Sequence, residues 1–334
     1  MDNKPSLTFV LCIEAGSLEY GVLLCVTTLR RFGGRFRHCP VIAVRPRPGA
    51  KISQDTKRKL DSLDVLVVRD FKYHNKYSWF SFMNKPVSLM IASNYVNTDC
   101  VCWLDSDILF CEEPTGLELD ESIDFGAVAD WKEQGTSGRD DPFNVIWRRM
   151  AEAVGEDIET LPWVNTARDS QRIRTYFNGG LFVYRHKAQF AELYLQLTMT
   201  MLDEKVRLQH PGYSIGFCEM SSIGWAAHIL GFRMRVLPVT LNYSVSPNDS
   251  DGDLAEISSA RLLHYHHSLW PSHYEQFLNR IQASHSDVSK LLKEMGPMRN
   301  TSKLSSRAVA KVFGSVRKWH QRRYWNGCRI LGLA

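Results

Sequence analysis

The chain has 334 residues, 44% hydrophobic, 23% charged and 11% aromatic, which supplies material for a large core and excludes disordered, collagenous and coiled-coil classes. Its formal charge of +5 is uneven, because residues 298–334 carry nine Lys or Arg and no acid, leaving 32 basic against 36 acidic side chains in the preceding 297 residues. A near-neutral body with a short basic tail does not describe a nucleic-acid-binding domain, which presents a basic face throughout.

Apolar runs alternate with helical periodicities from the start, predicting strands at 7–13, 41–44 and 65–68 and helices at 20–32 and 53–63, the second capped by Ser53. Pro86 near the start of a helix with Val87, Met90 and Ile91 on one face leads to a strand at 101–104. Four apolar strands separated by helices predict a largely parallel sheet covered on both faces, with chemistry beyond the strand carboxyl ends. Strands follow at 108–110 and 125–129. The polar stretch 131–175 is expected to be an insertion with one helix near 142–154. The turn Tyr176-Phe177-Asn178-Gly179-Gly180 then feeds a strand to Arg185 and a helix to about Asp203. A helix at 219–230, a strand at 234–238, a polar loop at 246–253 and a strand through 261–267 complete a single domain, 1–297, followed by a basic tail, 298–334. The insertion and the 246–253 loop are expected to line the substrate pocket and to act as lids.

The eight cysteines show no paired C-x-x-C spacing, and Cys12, Cys25, Cys100, Cys102 and Cys218 lie in apolar runs, the pattern of reduced core thiols in a cytosolic protein. The opening Met-Asp-Asn-Lys-Pro has no signal-peptide core, and no apolar run approaches the roughly 20 residues that span a bilayer. The expected location is cytoplasmic, and the sequons at Asn242, Asn248 and Asn300 are then accidental.

Asp105-Ser106-Asp107 follows an apolar strand directly, so the backbone can aim two carboxylates at one divalent cation at the sheet edge. Alone, D-x-D is as readily a surface loop. Further on, His264-Tyr265-His266-His267 follows Leu262-Leu263. A strand there delivers His264 and His266 to one face, where an imidazole can complete the metal shell, and turns His267 away.

Trp103-Leu104-Asp105-Ser106-Asp107, Tyr176-Phe177-Asn178-Gly179-Gly180 and Leu263-His264-Tyr265, in that order, resemble the signposts of nucleotide-sugar glycosyltransferases of the GT-A fold, above all the glycogenin and bacterial galactosyltransferase group. The resemblance covers about residues 6–294. It implies a Rossmann-like mixed, mostly parallel α/β sheet flanked by helices. It implies that Asp105 and Asp107 hold Mn2+ (or Mg2+) against the donor diphosphate, with His264 as third protein ligand. Asn178 and Gly179 would lie along the donor sugar, and Ser106 and His266 beside the bound donor. It also places the loop containing Glu14, Ala15 and Gly16 at the nucleotide base and ribose, although a Gly-containing turn there is equally ordinary.

Lys85, opening the helix before the metal strand, is a candidate phosphate partner or a solvated lysine, and Arg45 and Arg47 are expected in a solvated loop. Asp130 ends a strand where the family often holds a donor-side basic group or sugar hydroxyl. Glu219 departs from the group's pattern, in which this helix start carries Asp-Gln. Here it stands either as base for the acceptor hydroxyl in an inverting displacement, or as an orienting group in a retaining one, or as ordinary helix-dipole stabilisation.

In the tail, Leu304, Ala308, Val312, Val316 and Trp319, reinforced by Val309 and Phe313, form an apolar stripe flanked by Lys303, Arg307, Lys311, Lys318 and Arg322. That spacing predicts an amphipathic helix for an anionic membrane surface, or one docked on the protein's own body. The combined expectation is a metal-dependent hexosyltransferase that moves a sugar from a nucleotide-diphosphate donor, UDP-linked by resemblance, to a hydroxyl of a glycan or glycolipid, with retention favoured over inversion. Two rivals stand beside it: a haloacid-dehalogenase-like phosphatase using Asp105 and Asp107, and an inactive membrane-associated scaffold.

Overall fold

The computed structural model describes residues 6–186, 189–250, 252, 254–300 and 304–332. Asp251 and Asp253 of the expected polar loop and Lys303 of the tail lie outside the described residues. The first half runs β1 (Leu7–Cys12), α1 (Ser17–Phe32), β2 (Val41–Arg45), α2 (Gln54–Ser62), β3 (Val65–Arg69), α3 (Asn84–Ala92) and β4 (Cys100–Leu104). There follow β5 (Ile108–Phe110), β6 (Phe125–Ala127), α4 (Asn144–Val154), the hairpin β7 (Trp163–Asn165) and β8 (Arg172–Arg174), β9 (Leu181–Arg185) and α5 (Phe190–Asp203). The remainder is β10 (Val206–Leu208), α6 (Gly216–Ile229), β11 (Met234–Val236), β12 (Tyr243–Ser244), β13 (Leu262–His264), α7 (Tyr274–Gln282), α8 (Ser286–Met295), α9 (Leu304–Asn326) and β14 (Arg329–Leu331).

The main sheet has seven strands in the order β3-β2-β1-β4-β9-β6-β11. Strands β3, β2, β1 and β4 run parallel, as apolar strands linked by crossover helices must, and β9 alone is antiparallel to its neighbours β4 and β6. Both faces of β1 are buried, Phe9 and Leu11 in one apolar cluster and Val10 in another, which explains why the strand reads as a continuous apolar run. Helix α1 begins where Gly16 adopts φ +111° and donates its N–H to Glu19. The same buried Glu19 carboxylate accepts the N–H of Ser53 at 2.8 Å, and Ser53 Oγ caps α2 by accepting from Thr56 N at 3.0 Å. A second small sheet, β12-β13-β5, branches from the end of β4.

The insertion is a structural layer rather than a polar appendage. Phe143, Ile146, Trp147 and Met150 of its helical segment, with Leu161 and Ile173, are buried in the main core, and Trp147 Nε1 donates to the Gln134 carbonyl at 2.8 Å. Apolar side chains three and four apart were masked by the Asn, Arg and Glu between them. Replacing Trp147 by Ala should therefore lower stability by about 3–5 kcal/mol in urea unfolding. A loss of less than about 1 kcal/mol would mark the insertion as a peripheral lid after all.

Candidate active site

At the end of β4 the Asp105 N–H donates to the Gly180 carbonyl at 2.8 Å, which sets the Asp105-Ser106-Asp107 turn against the Asn178-Gly179-Gly180 turn that opens β9. On the other side, β5 and β13 pair with Ile108 opposite His264, and Tyr265 N–H donates to the Asp107 carbonyl at 3.0 Å. Glycines suit this approach: a Cβ on Gly180 would meet the His264 ring at 2.6 Å, and one on Gly179 would displace Lys85 Nζ, which it would meet at 2.7 Å. A cavity of about 470 Å3 opens at these strand ends, with Glu14, Lys85, Asp105, Ser106, Asp107 and His266 in its wall.

Asp107 Oδ1 lies 3.3 Å from His264 Nε2, and the rings of His264 and His266 face one another with centroids 3.9 Å apart. Asp107, His264 and His266 each offer a ligand atom within 4.8 Å of the others. The buried His264 Nδ1 has no hydrogen-bond partner, and Ser244 Oγ meets His266 Nε2 at 2.7 Å. One carboxylate oxygen and two imidazoles make a donor set that fits a first-row divalent cation. Burial works against the charge of both Asp107 and His264, yet each stabilises the other: the carboxyl is held well below its usual range and the imidazole is raised. His266 is pushed down by burial and by the charge of His264.

Asp105 stands outside that group. Its Oδ1 accepts from the Trp103 indole at 2.7 Å and lies 3.5 Å from Lys85 Nζ. The buried Lys85 ammonium also donates to the Gly179 carbonyl at 2.8 Å and sits 3.3 Å from Glu219 Oε1, which accepts the Tyr194 hydroxyl proton. Burial disfavours the Lys85 charge, but Asp105 and Glu219 outweigh it and raise its affinity for the proton. Glu219, fully buried, is pushed up by burial despite Lys85, which drives it towards protonation.

Asp130 pairs with Arg168 Nε at 3.0 Å, and Arg168 donates to the Ser244 carbonyl at 2.9 Å, which ties Asp130 to the His266 side of the site. Asn178 folds its own Oδ1 back to accept the Gly180 N–H at 2.9 Å. Glu14 receives both Nε and one terminal nitrogen of Arg47, at 2.6 and 2.7 Å, and this pairing overcomes burial to keep its carboxyl low. Ala15 and Gly16 form the turn behind it, with Gly16 near the Asn300 side chain.

With this geometry in view, the match over residues 9–211 to the family described as the Rhodobacterales glycosyltransferase domain decides the assignment. The chain belongs to this glycosyltransferase family. Solved structures similar to it include the WbbM bifunctional glycosyltransferase (14% identity, 87% of this chain and 52% of that one, TM-score 0.47). GlyE of Streptococcus pneumoniae TIGR4 (14% identity, 90% and 67%, TM-score 0.45) and the galactosyltransferase LgtC (10%, 77% and 86%, TM-score 0.44) are two more. The transferase spans about half the length of the WbbM chain. No curated protein matches it by sequence. It is an enzyme of the glycosyltransferase class, with the mostly parallel, helix-flanked sheet expected of a GT-A fold.

Several expectations change on this transferase. Arg45 and Arg47 are buried rather than solvated: Arg47 serves Glu14, and Arg45 lies over the Phe71 ring and donates to the Gly49 carbonyl. His267 does not turn away but lines the cavity, because β13 stops at His264 and His266 takes φ +45°, which ends the strand alternation. Ala15, Gly16, Asp130, Asn178, Gly179, Glu219 and His264 do not line this cavity. The insertion and the 246–253 loop line a separate cavity of about 230 Å3, through Trp131, Arg168 and Gly252. Sequence reading missed Trp103, Tyr194, Ser244 and Arg168. Trp103 alone carried a signal, since residues two apart on a strand share a face and Asp105 follows it at that spacing.

Burial pushes the Asp130 carboxyl up to about 6 against the pull of Arg168. Its folded value exceeds the unfolded one near 3.9, so the stability of the neutral form is complete below about pH 4 and is lost as pH rises through about 6. Wild type should lose about 1–3 kcal/mol relative to Asp130→Asn across that window in urea unfolding. Parallel pH curves for the two proteins would contradict it.

Proposed function

We propose that this glycosyltransferase moves a hexosyl unit from a nucleotide-diphosphate sugar, a UDP-sugar, to a hydroxyl of a glycan or glycolipid, and that it works with Mn2+ or Mg2+. The observation that carries this reading is the convergence of ligand atoms from Asp107, His264 and His266, with Asp105, Asp107 and His266 in the wall of one cavity at the strand carboxyl ends. When bound, the cation supplies charge neutralisation to the departing diphosphate. Asp107 and His264 would hold it, with His266 or Asp105 completing the set. Lys85 keeps a positive charge at the cavity wall and aligns the Asp105 carboxylate. Gly179 and Gly180 leave room for close backbone approach.

Glu219 is sealed behind Lys85 and Tyr194 and fully buried, which suits an orienting group and not a base that must reach an acceptor hydroxyl. Of the acids that line the cavity, Glu14 is neutralised by Arg47, Asp105 is engaged by Trp103 and Lys85, and Asp107 belongs to the cation site. This distribution supports retention over inversion. The family match displaces the phosphatase reading. For the tail, we place the exposed side of α9 on an anionic membrane surface, in keeping with a lipid-linked acceptor. None of the described helices is long and apolar enough to cross a membrane.

Calorimetric titration of UDP and GDP with Mn2+, Mg2+ or EDTA tests the proposal. One nucleotide should bind only with metal, and Asp107→Ala and His264→Ala should each weaken that binding by at least about 100-fold, consistent with loss of several kcal/mol of phosphate contact. Absence of nucleotide binding under every condition would overturn the transferase mechanism and favour the inactive scaffold.

A further inference from the structure

A further cavity, about 500 Å3, lies between α9 and the segment that joins β3 to α3. Arg47, His74 and Lys76 of the body face Arg317 and His320, which stand three residues apart on one side of α9. Trp79 and Phe313 supply an apolar wall. The helix is fixed over the cavity by its far end, where the buried Tyr324 packs against Trp79, rings tilted by 45° with centroids 5.0 Å apart, and donates to the Leu202 carbonyl at 3.0 Å. Arg317 donates to the Pro48 carbonyl at 2.7 Å.

Positive charge here exceeds what the acids offset. Glu14 pairs with Arg47 and lies 3.7 Å from Arg317, while Asp203 pairs with Lys76. Arg45 adds a further buried cation beside Glu14. Burial first, and then the charges of Arg47 and Arg45, pull Arg317 below its usual range. His74 is lowered in the same way by burial, Arg317 and Arg47. An anion in the cavity relieves that repulsion. The rest of α9 carries Arg307, Lys311, Lys318, Arg322 and Arg323 with no acid. Val312, Val316 and Trp319 stay about half to two-thirds exposed at 64%, 49% and 53%. Basic residues with exposed apolar ones on a single helix suit the headgroup layer of an anionic bilayer.

We propose that this cavity under α9 is a phosphate-ester site that takes the headgroup of an anionic lipid while the exposed side of α9 rests on the bilayer. The proposal rests on the membrane reading of the tail and is independent of the sugar-transfer reading. Because Arg47 belongs to the walls of both cavities, the captured phosphate lies one side chain away from the active site.

Co-sedimentation of the full chain with phosphatidylcholine vesicles, with and without phosphatidylglycerol, tests it. The cavity double variant Lys76→Gln, Arg317→Gln is compared with the charge-matched control Lys318→Gln, Arg322→Gln, whose side chains are outside the cavity. Binding to the anionic vesicles should fall at least tenfold further in the cavity variant than in the control. Soluble glycerol phosphate should compete for the wild type and raise its melting temperature, with the shift reduced by the milder His320→Gln. Equal losses in the two double variants with no thermal shift would reduce the effect to diffuse attraction and overturn the site. A thermal shift without vesicle binding would overturn the lipid assignment in favour of a soluble phosphate ester. Calorimetry of UDP on the same samples separates failure of this site from failure of the donor site.

Discussion

Burying the Lys85 ammonium costs several kcal/mol unless carboxylates and carbonyls compensate it, and the groups that do so come from three separate parts of the chain. Lys85 is on α3, Asp105 follows β4, Gly179 precedes β9, and Glu219 is on α6. The same interaction that makes the ion tolerable also ties these elements together at the cavity wall. Trp103 and Tyr194 extend the network by one hydrogen bond each and orient the two carboxylates. The consequence is a division of labour: Asp105 faces the cavity and Glu219 is locked away from it.

Strand pairing brings the second half of the site to the first. The antiparallel register of β13 on β5 delivers His264 to Asp107, and the left-handed backbone at His266 returns its ring onto that of His264. A strand alone would have placed the two imidazoles on one face but about two residues apart, roughly 6.5–7 Å. The break after His264 closes that gap and simultaneously brings His267 to the cavity.

What the sequence disclosed follows from local rules. Continuous apolar runs revealed β1 to β4, Ser53 marked its helix, and Asp105-Ser106-Asp107 at a strand end located the cavity. What it concealed depends on partners distant in the chain. Arg47 reads as a loop residue until Glu14 appears beside it, and the 131–175 segment as polar until Trp147 and Ile173 meet the core. The tail showed both possibilities in its spacing. The structure docks the far end of the helix on the body through Tyr324 and leaves Val312 and Trp319 exposed.

The central claim is that Asp107 and His264 hold a divalent cation within this charge-compensated site. The most direct measurement is anomalous diffraction from crystals grown with Mn2+ and UDP. The account predicts one manganese peak at roughly 2.0–2.2 Å from an Asp107 oxygen and His264 Nε2, with His266 or Asp105 as the next protein ligand. A manganese peak elsewhere, or nucleotide bound in the cavity without metal, would contradict it.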